Sequence, residues 1–319
     1  MYKLTRPLRD IIVAPAILAA AILNGGPALA ETVANDLDCV DCVQGPELEA
    51  GAVGQRELAY EAVFVTTVLV RAEGTPNENC NALLDALVDT SIATESDPYL
   101  IKLEAGIYDC RFPLVVEMNP YVDIEGSGQT TTVIRGHSLP VLKVAAHSEL
   151  RQVTVEALGK ASARGIEMRQ NHSRLADVTV IAQAEDPDAI PSGVNIGPDN
   201  GNPNDILEFD LDHVTVHAGR PRGNGNAITV IGPSAVRMTD VRGHGAVAGL
   251  RLVNSNGALV IATGSVFEGS SHSLRVETNN TAAMVSSQLI GPLGLGAGTP
   301  HCIVSYGAFS NVLNPDCTP

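Results

Sequence analysis

The chain has 319 residues, of which 36 are Asp or Glu and only 20 are Lys or Arg, so its formal net charge is −16. So acidic a surface repels polyanions, and the basic residues are scattered along the sequence, which argues against nucleic acid or anionic lipid as partners. The absence of Trp and the few Phe and Tyr argue against a carbohydrate cleft lined by large aromatic rings.

The N-terminus has the three parts of a secretory signal. Lys3, Arg6 and Arg9 precede an apolar run over residues 11–23, and the small residues Ala28 and Ala30 follow it. Residues 1–30 are therefore predicted to be a signal peptide, and the mature protein is predicted to be secreted, periplasmic or at the cell surface. The apolar run is shorter than the roughly 20 residues of a spanning helix, so no membrane span is expected in the mature chain.

Residues 31–62 form an acidic segment without the alternation of a strand. We interpret them as an extended leader or stalk, through which the protein could oligomerise. A disordered linker has the same composition and remains an alternative.

All six cysteines follow the predicted cleavage site. An even number of cysteines in an exported chain indicates disulfides, although six cysteines allow fifteen connectivities. Proximity in the sequence favours the pairs Cys39–Cys42, Cys80–Cys110 and Cys302–Cys317. The Cys39–Cys42 spacing is also compatible with a redox or metal motif.

The sequence predicts one amphipathic helix, at about residues 81–89, ahead of the first strands. An exposed solenoid end leaves strand edges and core unprotected, so we interpret this helix as an N-terminal cap. A Cys80–Cys110 disulfide would join it to the first coil.

Beyond residue 140 the sequence repeats itself. Similar hexapeptides are centred on Val153, Val178 and Val214, and weaker copies on Val241, Val266 and Leu289. Their intervals of 25, 36, 27, 25 and 23 residues are one solenoid coil each, with a longer loop inserted once. A second alternating strand precedes each copy; these strands cover residues 141–144, 165–168, 193–196, 227–230, 249–252 and 273–276.

Short alternating strands without helical periodicity exclude a βαβ fold, and the recurring identity between strands favours a solenoid over a β-sandwich. The sequence thus predicts an all-β, parallel β-helix domain over residues 63–319. The glycine-rich residues 291–298 are expected to form a loop, within an irregular C-terminal cap over about residues 291–319. The Cys302–Cys317 loop would close that end as a lid; an assembly surface there is the alternative.

Residues 100–136 resemble the opening coils of the pectin lyase-like superfamily, notably at Gly106-Ile-Tyr108, Val122-Asp-Ile-Glu125 and Thr132-Val-Ile-Arg-Gly136. The resemblance implies a right-handed parallel β-helix. Pectinesterases of that superfamily carry two aspartate motifs that this sequence lacks, and its Gly219-Arg220-Pro221 is followed by Arg222 where they have Trp. Their catalytic residues are therefore not carried over.

Aligning the repeats on their central apolar residues predicts which side chains leave the core. One outer patch then collects six chemically active side chains: Asp177, His213, His217, Asp240, Arg242 and His244. Carboxylates beside imidazoles could act as general acid and base, with Arg242 stabilising an anionic intermediate. The same groups could bind zinc or another metal, or they could form an ordinary polar solenoid face.

Residues 183–205 interrupt the repeat with a loop rich in oxygen ligands. Calcium or another divalent metal could bind there, but the segment matches no known calcium-loop pattern and we interpret it as a solvated loop. No other cofactor is expected.

Two functions follow as hypotheses. The first is an exported, non-catalytic β-helix protein with a structural, surface or adhesion-type role and a glycan or surface partner. The alternative is a carbohydrate-active enzyme, a polysaccharide lyase or an esterase, that uses the outer patch.

Overall fold

The computed structural model describes residues 66–319 except 112–113, 138, 161–162, 187, 199–205, 220–222, 254–256, 297, 304, 306, 308–312 and 318–319. The predicted signal peptide, the leader and the Cys39–Cys42 pair lie outside the described residues. Within them, no helix has both the length and the apolar character needed to cross a membrane.

The described chain is a parallel β-solenoid of about seven turns, which confirms the predicted fold class. One helix, α1 (Pro76–Asp89), accompanies the strands. The first half of the chain contains β1 (Thr66–Val70), β2 (Tyr99–Leu103), β3 (Gly106–Cys110), β4 (Val116–Glu117), β5 (Val122–Glu125), β6 (Thr132–Gly136), β7 (Leu142–Val144), β8 (Glu149–Gly159), β9 (Arg164–Met168), β10 (Ser173–Ala184) and β11 (Ser192–Ile196).

The second half contributes shorter strands, which are β12 (Leu207–Asp212), β13 (Thr215–Ala218), β14 (Asn226–Ile231), β15 (Ser234–Thr239), β16 (Arg242–Gly245), β17 (Ala248–Val253), β18 (Leu259–Thr263), β19 (Val266–Gly269), β20 (His272–Val276), β21 (Thr281–Val285), β22 (Gln288–Ile290), β23 (Leu293–Leu295) and β24 (Thr299–Ile303).

Each coil contributes to two sheets. The larger sheet has 16 strands and the smaller has eight, β4, β7, β9, β11, β14, β17, β20 and β23, which are the predicted second strands together with two at the ends. Every pairing between named strands is parallel; in β17 and β20, for example, Leu250 pairs with Leu274 and Leu252 with Val276, all four fully buried. Inward side chains of successive coils therefore stack into one continuous apolar core.

A left-handed residue bends each coil within the larger sheet. Gln152, Asp177, His213 and Asp240 occupy equivalent positions and have φ between 51° and 57°. In the next coil the position is taken by Gly264, with φ of 62°. Asn, Asp and His tolerate this conformation better than most residues, because their polar side chains can bond to nearby backbone. The bend separates the strand pairs β12/β13, β15/β16 and β18/β19.

The pairing register corrects the alignment of the weaker repeats. Val153, Val178, Val214 and Val241 do occupy one buried column, but Ser265 and Ser287 continue it, and not Val266 and Leu289. The hydroxyl of Ser265 accepts from the Val241 N–H at 3.1 Å, and that of Ser287 accepts from the Ser265 N–H at 3.2 Å. A serine can occupy a core position when its hydroxyl both donates and accepts a hydrogen bond. An alignment based on apolar residues therefore does not find these two members of the column.

Helix α1 begins at Pro76, ahead of the predicted 81–89. Its start is fixed by a capping box in which the Thr75 side chain accepts from the Glu78 N–H and the Glu78 side chain from the Thr75 N–H. Leu83 and Leu87 are buried. The predicted Cys80–Cys110 disulfide is confirmed and joins the helix to β3.

The C-terminal segment is more regular than predicted. The glycine-rich residues 291–298, expected to be a loop, contain β23, which pairs with β20, and the expected irregular cap contains β24, which pairs with β21. Parallel pairing uses backbone groups, which glycine supplies as well as other residues do. The predicted Cys302–Cys317 disulfide is confirmed, and the Cys302 N–H donates to the Pro315 carbonyl, so the tail lies against the last strand.

Candidate functional site

The six residues of the predicted patch lie on neighbouring coils but fall into two separate clusters. Asp177, His213 and Asp240 occupy the left-handed bend, whereas His217 and His244 lie at the far ends of β13 and β16. Arg242 lies between them, at the start of β16, with an exposed side chain. The patch was predicted as one site because His213 and His217 share a face; along an extended strand they are roughly 13 Å apart.

The first cluster, the aspartate corner, consists of Asp177, Asp212, His213 and Asp240. His213 Nδ1 lies 2.9 Å from Asp212 Oδ1, and its Nε2 lies 3.5 Å from Asp240 Oδ2. Register places Asp177 beside His213 on the preceding coil. The side chains of His213 and Asp240 are more than half exposed, at 58% and 54%. The corner is an outward turn, where such groups satisfy one another across coils.

The second cluster contains His217, His244 and Glu268 on three consecutive coils. The two imidazole rings are nearly parallel, with centroids 5.0 Å apart and an interplanar angle of 9°. His244 Nδ1 lies 2.9 Å from Glu268 Oε2. A carboxylate accepts only, so Nδ1 of His244 donates and its Nε2 is left for a ligand.

These three side chains form one wall of a groove of about 660 Å³, which we call the histidine groove. Its lining residues are His217, Ala218, Gly219, His244, Gly245, Ala246, Glu268, Gly269, Ser270, Ile290, Gly291 and Pro292. His217, His244, Glu268 and Ile290 are in register, so the wall runs over four coils, about 14 Å at the usual strand spacing.

Glycines allow the chain to turn tightly at the floor of the groove. A Cβ atom on Gly245 would come within 1.8 Å of the Ala248 carbonyl oxygen, and one on Gly269 within 2.1 Å of that of His272. Only glycine therefore permits the sharp bend from the larger sheet into the smaller one at these coils. Both glycines line the histidine groove together with His217 and His244.

The pKa of His217, in the wall of the groove, is lowered. Burial of part of the His217 ring lowers its pKa below the ordinary 6.5, and the neighbouring His244 lowers it further. The His217 side chain nevertheless remains exposed to solvent. His217 is thus a neutral, accessible imidazole at neutral pH, able to accept a proton or a hydrogen bond.

The metal interpretation gains no support from the geometry. Across the part of the chain that the structure describes, no group of three or more His, Cys, Asp or Glu side chains is arranged to hold a metal ion. Of the predicted oxygen-rich insertion, residues 199–205 and 187 lie outside the described residues, and residues 192–196 form β11.

Two residues were missed by the sequence analysis, Glu268 and Asp212. Glu268 was assigned to the wrong column because the weaker repeats were aligned on Val266, and correcting that by one residue brings it beside His244. Asp212 is the immediate neighbour of His213, and adjacent residues on a regular strand would point to opposite faces. The left-handed bend at His213 brings the two side chains together.

No known protein family matches the sequence, and no curated protein matches it. Among solved structures, the chain is similar to a pectin methylesterase from carrot, with 13% identity, a TM-score of 0.43 and coverage of 79% of this chain and 87% of that one. It is similar to pectin methylesterase PemA from Erwinia chrysanthemi, with 9% identity, a TM-score of 0.46 and coverage of 80% and 92%.

An alginate lyase from Paenibacillus sp. str. FPU-7 shows 12% identity and a TM-score of 0.39, with coverage of 78% of this chain and 97% of that one. At such identities no functional residue is transferred from these enzymes. The strand pairing itself shows that the described chain has a parallel β-helix fold.

Proposed function

We propose that this is an exported β-helix protein with a surface or adhesion-type role, which binds a glycan in the histidine groove. The groove is the observation that carries the proposal. It is concave, extends over four coils and offers both flat rings and polar atoms, the combination by which sites hold a sugar chain.

The dimensions of the groove suit a short segment of glycan. Its wall of about 14 Å accommodates roughly three sugar units, since one unit is about as long as the spacing between coils. The paired imidazoles of His217 and His244 provide ring surface where the chain has few larger aromatic residues, and the Ser270 side chain adds a polar group. Ile290 and Pro292 contribute apolar contact at the other end.

Export is supported by the two disulfides, Cys80–Cys110 and Cys302–Cys317. Disulfides persist in oxidising compartments, in line with the signal peptide predicted over residues 1–30. The disulfides bear on export alone, and the surface or adhesion-type role is proposed in addition to it.

A glycan array followed by calorimetry on the strongest ligand tests this function. The double variant His217→Ala/His244→Ala should lose at least tenfold in affinity, because it removes both rings from the wall. His301→Ala is the matched control, since His301 is exposed on β24 and does not line the groove. Binding that survives the double variant, or that is lost equally in the control, would refute the groove as the binding site.

A second candidate function is acid–base catalysis on the bound glycan, by a lyase or an esterase. The specific observation that favours it is the array Glu268–His244–His217. Glu268 orients His244, and the lowered pKa of His217 keeps a neutral base beside it. Groups held in this way can remove a proton from a substrate and return one to a leaving group.

Catalysis is tested by incubating the protein with a polysaccharide panel and measuring new carbon–carbon double bonds or released alcohol or acid. His217→Ala and Glu268→Gln should then abolish turnover, while Asp240→Ala and His213→Ala, at the aspartate corner, should not. The reverse pattern would assign the chemistry to the corner. Binding without turnover of any polysaccharide would leave the non-catalytic function standing alone.

A further inference from the structure

The outer face of the smaller sheet is basic, in contrast to the rest of this acidic chain. We call it the basic face. Its charged residues are Lys143, Arg164, Arg169, Arg251 and Arg275 on the positive side and Glu117, Glu167 and Glu277 on the negative side. Residues far apart in the sequence meet here because coils stack, so basic residues that are scattered along the chain are clustered in space.

The open part of this face is a pair of arginines on consecutive coils. Arg251 and Arg275 are in register, and an N–H group of each lies close to the same oxygen, Oε1 of Glu277, at 3.1 and 3.3 Å. One carboxylate thus balances two guanidinium groups. Their side chains are 32% and 41% exposed, so both remain accessible to a ligand.

The neighbouring coils leave this pair uncovered. Thr229 precedes Arg251 in the same column and is neutral, and Gly294 follows Arg275 and has no side chain. Burial lowers the pKa of His272, and the positive charges of Arg275 and Arg251 lower it further.

The other basic residues of the face are already engaged. Lys143 is paired with Glu117, one cation to one anion. Arg164 and Arg169 share the Glu167 carboxylate, and Arg169 also donates to the Gly197 carbonyl oxygen, with a side chain that is only 17% exposed. Arg251 and Arg275 are therefore the pair on this face in which both guanidinium groups that share one carboxylate are accessible.

We propose that Arg251 and Arg275 form a binding site for the sulfate or carboxylate groups of an anionic polysaccharide, separate from the histidine groove. A guanidinium group binds planar or tetrahedral oxyanions through two parallel N–H donors, which a lysine cannot do. The two groups repeat at the coil spacing of about 4.8 Å, close to the length of one sugar unit. Successive anionic sugars of one chain can therefore each meet one arginine.

Two polymers distinguish the sources of the anion: dextran sulfate carries sulfates and hyaluronate carries carboxylates. Affinity for each is measured by calorimetry at low and at moderate salt, with the full chain and with Arg251→Gln/Arg275→Gln. We expect the double variant to lose at least tenfold in affinity at low salt for the polymer that binds. Its remaining affinity should depend less on salt, because two charge contacts are gone.

Arg237→Gln is the matched control, because Arg237 is an exposed arginine of the larger sheet, paired with Asp210. A loss of affinity as large in Arg237→Gln as in the double variant would overturn the proposal, as would equal binding by both proteins. Tighter binding of single-stranded DNA than of either polysaccharide would also overturn it.

A measurement on the unaltered protein covers the case in which the double variant does not fold. Phenylglyoxal modifies accessible arginines, and mass spectrometry reports each site. The bound polymer should protect Arg251 and Arg275 and leave Arg237 reactive. Unchanged modification of Arg251 and Arg275 in saturating polymer would contradict the site.

Discussion

At the scale of single residues, the coil bend depends on side chains that tolerate positive φ. Asp240 has φ of 51° and its equivalent in the next coil is Gly264, whose added Cβ would lie 2.4 Å from Asp240 Oδ1. The residue at position 240 must therefore adopt a positive φ, independently of any role of its carboxylate.

Asp240→Val should lower the free energy of unfolding by about 1–3 kcal/mol, because a β-branched residue is strained at positive φ. Asp240→Gly should change it far less, since glycine adopts this conformation freely. Chemical denaturation of both variants measures the difference. Equal destabilisation would show that the carboxylate contacts, including the one to His213, matter more than the backbone.

The lowered pKa of His217 predicts how the free energy of unfolding depends on pH. Its pKa is lowered in the folded protein, so between that value and the ordinary 6.5 the unfolded chain binds more protons than the folded one. Its contribution to the free energy of unfolding is present above pH 6.5 and decreases as the pH falls through this window.

Histidine NMR should show His217 titrating below the ordinary 6.5. In His244→Gln the pKa of His217 should rise toward 6.5, because the charge of His244 is removed while the burial of His217 is largely kept. A His217 that titrates at or above 6.5 in the unaltered protein would remove the argument that it is a neutral base.

At the scale of elements, the sequence predicted the strands of the smaller sheet well, because alternation is a direct consequence of one buried and one outer face. It failed where a polar residue occupies the core. Ser265 and Ser287 continue the buried valine column, and reading Val266 as its next member displaced the alignment and hid Glu268. The start of α1 was missed although Thr75 and Glu78 have the spacing of a capping box.

The site could be predicted only in part for the same reason. The residues of the outer patch were identified correctly as facing away from the core, since His217 and His244 occupy alternating positions. Their division into a corner and a groove follows from the roughly 13 Å of strand between His213 and His217, a distance that alignment on one face does not reveal.

The helix cap carries its own stability prediction. Cys80 and Cys110 close a loop with a sequence separation of 30, so Cys80→Ala/Cys110→Ala should lower the free energy of unfolding by about 3–4 kcal/mol in the chain-entropy model. Cys302→Ala/Cys317→Ala, with a separation of 15, should cost slightly less. Denaturation of both variants gives the comparison; a Cys80–Cys110 deletion without effect would show that helix packing alone holds α1 in place.

At the scale of the whole molecule, a solenoid must protect both of its ends. Helix α1 packs against β1 and β3 in the first coils. At the other end Leu313 and Cys317 are buried, and the Pro315 carbonyl accepts from the Cys302 N–H. The tail thus occupies part of an edge that would otherwise offer free strand groups to another chain.

Deleting residues 314–319 should therefore cause association or aggregation of an otherwise soluble protein, because the last strand loses both its hydrogen-bond partner and its disulfide. Light scattering and thermal denaturation of the shortened chain measure this. A shortened protein that stays monomeric and melts like the parent would show that the tail does not cap the solenoid.

The two proposed binding sites lie on different faces of the solenoid. The histidine groove is proposed to bind a glycan, and the basic face on the smaller sheet is proposed to bind an anionic polysaccharide. Both arise from stacking, which brings residues together that are about a coil apart in the sequence, as with His217 and His244 or Arg251 and Arg275. Binding sites of this kind belong to the assembled coils and not to any single loop.

The most direct test of the central claim is a histidine-selective NMR titration with the oligosaccharide that binds best on the glycan array. The ring resonances of His217 and His244 should shift together and saturate at the affinity found by calorimetry, while those of His147 and His301, outside the groove, stay in place. Saturable binding that moves His147 or His301 and leaves His217 and His244 unchanged would contradict the assignment of the glycan site to the histidine groove.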